Sequence, residues 1–491
     1  MALAVEGMFE GRTRLVLLQR KRQTITTNSD SFLVDPPRPS IRRTELPPGP
    51  SALPLVGQAF RLKNDFVGLL REAATYGDVS TVSVKPIMCC LVNNPELTRQ
   101  VLVTNRLKTG RGVTAFETIR WMMGDGLTAS TGTFHLKQRR LIRPRFHRRY
   151  IEHYAGAMTE ISARKSRQWR DGAQVDMEQE MRDLTLEIVA KALFDIETHD
   201  VVRRVGRSFA ESEGYIYARL TQPLFLRRLL HKLPVPSTRR FKEARAYLDE
   251  LIYDLISERR RSGAEGDDLL CMLLQVRYED AEGDEGSGMS DELVRDEAVS
   301  LYIAGHDTTA TTLTYAFFLL SQNPEVEKRF HAELDDVLGD RDATLEDLPN
   351  LHLTDQIVTE TLRLYPPFWL LGRMVFEPIE LGGHRIPAGV SVVTSPLITH
   401  RDPRWFDDPL EFRPERWTDE FRSQLPQFAY FPFGGGEHQC IGEGFAWMEA
   451  KIALATLHRR WRATTSSKAE IMPRTTLKVK GGLPMRLERR R

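Results

Sequence analysis

One cysteine stands where its sulfur can do more than pack. Residues 431–442 read Phe-Pro-Phe-Gly-Gly-Gly-Glu-His-Gln-Cys-Ile-Gly. Gly434, Gly435 and Gly436 allow backbone turns closed to other residues and a close approach to a flat ligand. Cys440 follows them, just ahead of a helix expected over about Gly442 to Trp461. Backbone N–H groups and the positive end of that helix favour a thiolate. A thiolate on iron pushes electron density toward dioxygen and favours O–O cleavage. The plainer alternative is a buried structural cysteine beside a turn. A phosphate-binding loop is a poorer one, because the required G-K-[ST] ending is missing.

A second group lies within a long apolar stretch: Ala304-Gly305-His306-Asp307-Thr308-Thr309. A glycine inside a helix costs roughly 1 kcal/mol relative to alanine, so something should compensate for Gly305. An unpaired charge at Asp307 would be costly in such surroundings, which makes it a candidate functional group. The alternative for the threonines is back-bonding to their own helix, and it is retained for Thr309, Thr311, Thr312 and Thr314. Glu360 and Arg363 are three apart on a third helix and can pair, though surface pairs of this kind are common.

The elements that must position these groups can be outlined from patterning. Strands are expected at Val79–Val84 and Met88–Val92, with Lys85-Pro86 turning between them. Helical periodicity dominates from Glu96 to Tyr278. The acidic, Gly-rich stretch Asp280–Gly288 reads as an exposed loop. A helix from about Asp291 to Gln322 has Ser290 as N-cap and Asn323-Pro324 as its stop. Its length would be about 48 Å. Short strands follow at Ile379–Leu381 and Val390–Val393.

The chain has 491 residues, 41% hydrophobic and 28% charged, with a formal charge of only +2, so nothing in its composition points to nucleic acid. Length alone would suggest about three domains. The cysteines at 89, 90, 271 and 440 form no disulfide framework, which fits a reducing cytoplasm. Residues 1–46 are basic and read as a disordered tail; membrane-surface contact is the alternative. The longest apolar run there, Leu15–Leu18, is too short for a signal core or a transmembrane anchor.

The cysteine segment fits F-x-x-G-x-[R/H]-x-C-x-G at Phe433, Gly436, His438, Cys440 and Gly442. It resembles the haem-binding signature of the cytochrome P-450 superfamily. Further family landmarks appear in order. His135 and Arg139 form H-x-x-x-R, and residues 304–309 resemble [A/G]-G-x-[D/E]-T-[T/S]. Glu360 and Arg363 match E-x-x-R, Arg373 follows, and residues 412–417 match F-x-P-E-R-[F/W]. The resemblance implies a mainly α fold with a smaller β region, a triangular prism around a long central helix. It also implies one catalytic domain over residues 47–491.

By the same resemblance, Cys440 is the axial ligand of haem b (iron protoporphyrin IX). His135, Arg139, Arg373 and His438 meet the haem carboxylates. Ala304 and Gly305 open a groove for the co-substrate O2. Thr308 offers its hydroxyl to that oxygen, and Asp307 relays protons toward it. Glu360, Arg363 and Arg416 form a buried supporting triad.

The substrate pocket is expected to be walled by Arg111–Leu127, Tyr302–Ala304 and Phe368–Leu371, with Phe116, Trp121, Phe368, Trp369 and Leu370 as candidates. Such walls suit an apolar substrate. The expected activity is monooxygenation of a lipophilic secondary-metabolite precursor, preferably a terpenoid. Fatty-acid hydroxylation, a peroxide-using enzyme and a non-catalytic haem sensor are the alternatives. With 51 residues after Cys440 (491 − 440), no flavin or nicotinamide domain is expected. Electrons would then come from a separate ferredoxin or flavodoxin with its NAD(P)H-dependent reductase. Lys137, Arg140, Arg143, Arg145, Arg148 and Arg149 offer a basic docking face.

Overall fold

The elements that frame the site are strands β1 (Val79–Val84), β2 (Ile87–Val92), β3 (Thr109–Gly110), β4 (Leu371–Val375), β5 (Ser391–Thr394) and β6 (Leu477–Val479). The helices are α1 (Val113–Met123), α2 (Gly132–Ile142), α3 (Met177–Phe194), α4 (His199–Leu220), α5 (Pro236–Ser262), α6 (Asp291–Gln322), α7 (His352–Leu364) and α8 (Glu443–Arg460). This computed structural model describes residues 46–53, 57–84, 87–196, 199–220, 222, 224–263, 268–275 and 288–490. Most of the basic segment 1–46, the Lys85-Pro86 turn and residues 280–287 of the acidic stretch lie outside the described residues, as does the side chain of Phe116.

Helix α6 has the bounds its caps predict. The Ser290 hydroxyl oxygen accepts from Leu293 N–H at 3.2 Å, and Asn323 ends the helix. It is buried nearly all round, as expected of a helix that is apolar on every face. Helices α1, α3, α5, α7 and α8 pack around it. Despite that apolarity, no helix among the described residues is long and apolar enough to cross a membrane.

The smaller β region lies beside this bundle. One sheet has the order β1-β2-β5-β4-β3. β1 and β2 are antiparallel with Val79 opposite Val92, β2 and β5 are parallel, and β4 pairs antiparallel with β5, setting Arg373 opposite Val392. β2 begins one residue earlier than its sequence suggests, and β5 lies one residue later than expected. The β6 strand pairs with Ile471–Pro473.

The Glu360 cluster is the best-satisfied charged group in the core. Glu360 and Arg363 are fully buried. All five guanidinium N–H groups of Arg363 have acceptors. Two donate to the Glu360 carboxylate at 2.8 Å, and the others to the carbonyls of His400, Pro409 and Glu411 at 2.7, 2.7 and 3.0 Å. Glu360 also accepts from Arg416 Nε at 3.0 Å, Trp417 Nε1 at 2.8 Å and Arg413 N at 3.0 Å. The cluster ties α7 to the 407–417 segment in front of the cysteine loop. Replacing Glu360 with Ala strands two buried guanidinium groups. We expect it to destabilise the protein by about 3–5 kcal/mol in denaturant unfolding; a loss under about 1 kcal/mol would show that the cluster is not a buried ion network.

Candidate functional site

The cysteine loop is shaped by what lies behind it. Gly434 and Gly436 adopt φ of +72° and +68°, a region that favours glycine. A Cβ on Gly436 would collide with the Leu102 carbonyl, and one on Gly435 with the Phe428 ring. The positive φ of Gly434 and Gly436 is the turn their sequence predicts, and Gly435 and Gly436 also seat the loop against the protein. Cys440 N–H then donates to Phe433 O at 2.9 Å, which closes the loop just before α8.

The Cys440 side chain keeps accessible surface although protein crowds around it. Burial pushes its thiol up to about 11, against the Gly442 N–H and Arg139, which pull it down. Backbone assistance to a thiolate is thus present, as expected, but burial outweighs it. A cation at the sulfur must supply the rest.

Basic side chains from four segments converge near this loop: Arg111, His135 and Arg139 of α2, Arg373 of β4, and His438. Arg139 donates to Gln439 O at 2.6 Å and Arg373 to Gly372 O at 2.9 Å. Arg111 donates to Thr128 O at 2.8 Å. His135 has Nδ1 3.1 Å from both Ser130 Oγ and Leu127 O, and Nε2 3.2 Å from Glu437 O. Its ring lies 4.1 Å from that of His438, whose buried Nδ1 has no partner among the described residues.

The electrostatics follow from this crowding. Burial and then Arg373 and Arg139 push Arg111 down to about 9, and burial pushes Arg373 down to about 10. Burial and Arg111 lower His135 to about 4, and the same two causes hold His438 far below the ordinary histidine range. Glu437 is the acidic group that bears on Arg373, and it is already paired with Arg106 at 2.8 Å. A cluster this deficient in negative charge suits a ligand with carboxylates, and the nearby thiol suits a metal. Both match haem, so the donor set fits that cofactor.

On α6, Asp307 is buried but not alone. Its carboxylate accepts from Thr476 Oγ1 at 2.6 Å and is ion-paired with Lys478 of β6. Burial alone would raise its pKa; Lys478, His306 and Arg182 overcome that and hold the carboxyl below the usual carboxylate range. The Thr308 hydroxyl donates to Ala304 O at 2.8 Å, the same back-bond that Thr309, Thr311, Thr312 and Thr314 make. Back-bonding was expected of those four and describes Thr308 as well. Gly305 also has a packing role. A Cβ there would sit 3.1 Å from Val189, so the glycine lets α6 approach α3 closely.

The apolar candidates separate. Trp369 is held in the fold: its ring meets Phe66 edge-on at 5.1 Å and its Nε1 donates to Arg474 O at 2.8 Å. Trp121 stacks on His231 at 3.8 Å. Phe368 is 42% exposed and Leu370 half-buried.

Comparison with known proteins decides the family. The cytochrome P450 family profile matches residues 47–486. This chain belongs to the cytochrome P450 family. It is 37% identical to cyclooctat-9-en-7-ol 5-monooxygenase of Streptomyces melanosporofaciens, over 90% of this chain and 94% of that protein. It is 35% identical to pentalenene oxygenase of Streptomyces avermitilis, over 86% of this chain and 92% of that one. Among solved structures it is similar to the haem domain of cytochrome P450DA, with a TM-score of 0.80 and 26% identity over 90% of this chain and 98% of that chain. As a cytochrome P450 monooxygenase it uses haem and dioxygen.

Sequence reasoning missed three groups in this P450. Arg111 stood at the edge of a stretch read as pocket wall. Thr476 and Lys478 lie far along the chain, and the one available signal is a lysine within the apolar strand Leu477–Val479. Wild-type Asp307 titrates below its unfolded value, so its pairing stabilises the protein above the ordinary aspartate pKa and is lost only in strong acid. Lys478→Met removes the cation and leaves burial in charge, which reverses the shift. Its destabilisation should reach about 3–5 kcal/mol at neutral pH and shrink as pH falls. Urea unfolding at pH 7 and pH 5 measures this; equal losses at both would contradict the pairing.

Proposed function

We propose that this P450 oxidises a terpenoid or a similarly lipophilic precursor, holding haem b through Cys440. The observation that carries the haem assignment is the convergence of one thiol and a carboxylate-deficient cluster of five basic side chains. Arg111, His135, Arg139, Arg373 and His438 would hold the two haem carboxylates. When bound, haem supplies the oxygen-activating chemistry. Terpenoid selectivity is supported by the relatives, two of which are named for terpene oxidation, cyclooctat-9-en-7-ol 5-monooxygenase and pentalenene oxygenase.

Asp307 and Thr308 carry protons. Asp307 holds its charge because Lys478 and Thr476 stabilise it, and it is one residue from the Thr308 hydroxyl. To donate toward the reacting oxygen, Thr308 must exchange its bond to Ala304 O for one to solvent or substrate oxygen. The pair therefore works by rearranging hydrogen bonds within one helix turn.

Electrons arrive from a separate ferredoxin or flavodoxin with its NAD(P)H-dependent reductase, in the cytoplasm. Lys137, Arg140, Arg143 and Arg149 are exposed on and just after α2, next to Arg139. An acidic partner docked there approaches the face that carries the cysteine loop, steered by charge. Residues 47–491 act as one catalytic unit in this reading.

Three measurements test it. With a reconstituted ferredoxin and reductase, cyclic terpenes should give oxidised product and straight-chain fatty acids of similar carbon number should not. The opposite preference would overturn the substrate class. Thr308→Ala should lower product per NAD(P)H consumed by about 10²-fold while reductant use continues; unchanged coupling would remove the relay. In the same assay, charge reversal at Lys137, Arg140 and Arg149 should raise the KM for ferredoxin and flatten its salt dependence, and an unchanged KM would remove the docking face.

A further inference from the structure

Helix α6 carries three consecutive buried charged residues well before the proton-relay pair: Arg295, Asp296 and Glu297. They grip the segment between α1 and α2. Arg295 Nη1 donates to Met122 O at 3.0 Å, and Asp296 Oδ2 accepts from Asp125 N at 2.7 Å. Glu297 Oε2 accepts from Leu127 N at 2.9 Å. One turn on, the Ser300 hydroxyl accepts from Thr128 Oγ1 at 3.0 Å. The fit is tight, since a Cβ on Gly126 would collide with Ser300 Oγ and the Asp296 carbonyl.

The other side of this segment faces the basic cluster. Arg111 Nη1 donates to Thr128 O at 2.8 Å and lies 3.4 Å from the carbonyls of Leu127 and Ser130. His135 Nδ1 is 3.1 Å from Leu127 O and from Ser130 Oγ. Leu127 is thus gripped twice, its N–H by the Glu297 carboxyl of α6 and its C=O by His135 Nδ1 and Arg111 Nη1.

Glu297 is an unusual choice for a mere tether. It is fully buried, and its Oε1 has no partner among the described residues. Arg295 and Asp296 neutralise one another at 2.8 Å, with Asp249 on the other side of Arg295, whereas Glu297 has no cation. A buried oxygen without a partner is destabilising, so its retention needs a reason. Burial raises its carboxyl to about 8 against the pull of the Leu127 amide, so near neutral pH it is mainly the neutral acid. Glutamine reproduces that shape and its acceptor oxygen.

We propose that Glu297 is a positioning residue for the cofactor: through Leu127 it sets how Arg111 and His135 present themselves to the haem carboxylates. This rests on the haem reading above and extends it to a residue on the opposite side of the 121–130 segment.

The test compares Glu297→Met, which fills the space without an acceptor, with Glu297→Gln, which keeps one. Both are read in haem-loaded protein by the rate of haem transfer to excess apomyoglobin and by the midpoint potential. Glu297→Met should transfer haem about 3- to 10-fold faster and shift the potential, as the loss of one buried hydrogen bond implies, while Glu297→Gln stays close to wild type. The Met effect should also shrink in an Arg111→Ala background, because the two act through one segment. If Glu297→Met does not fold, Ser300→Ala, which removes the neighbouring tie to the same segment, should show a smaller change in the same direction. The proposal is overturned if the Met variant loses thermal stability but keeps wild-type transfer rate and potential. It is equally overturned if Gln is as damaging as Met, if the Arg111 background leaves the effect intact, or if Ser300→Ala is silent where it alone can be tested. Wild-type protein that takes up no haem would instead contradict the haem reading.

Discussion

The rest of the site depends on the crowding of basic side chains beside Cys440. Arg111, His135, Arg139, Arg373 and His438 are drawn together with Glu437 as the one acidic influence on Arg373, and Arg106 already claims it. Arg373 and Arg139 both lower the pKa of Arg111, the direction of like-charge repulsion. The fold sustains this in two ways. Backbone carbonyls take the guanidinium N–H groups, and burial leaves both histidines neutral. A dianionic ligand converts the same arrangement from a liability into a binding site.

Charges elsewhere in the core are handled differently. Glu360 faces Arg363 and Arg416, Asp307 faces Lys478, and Arg295 faces Asp249 and Asp296. Each of these is matched within the protein, as buried charges must be when they serve the fold. The basic cluster beside Cys440 is not matched in this way. The sulfur follows the same logic. Its thiol is pushed up by burial, and a metal at the sulfur would offset that by binding the thiolate.

What could be read from the sequence was local or repeated. Helix α6 was legible to its last residue because Ser290, Asn323-Pro324 and a continuous apolar run all agree. The Glu360 triad and the cysteine loop were legible because their residues fall in recognisable spacing. The partner of Asp307 was not, since Lys478 lies 171 residues away and only the fold brings β6 to α6. Arg111 was hidden for the same reason. Gly305 and Gly436 were legible as glycines that spare space, but the neighbours that need it, Val189 and the Leu102 backbone, were not. Trp369 looked like a pocket wall, but its indole N–H is committed to Arg474.

The central claim is that Cys440 is the thiolate ligand of a haem held by this basic cluster. The most direct measurement is the carbon monoxide difference spectrum of the reduced, haem-loaded protein, wild type beside Cys440→Ser, with circular dichroism to confirm folding. The account predicts a strongly red-shifted haem band in wild type that is lost in Cys440→Ser while the helical signal stays. A well-folded, haem-loaded wild type without that band, or a Cys440→Ser protein that retains it, would contradict the account.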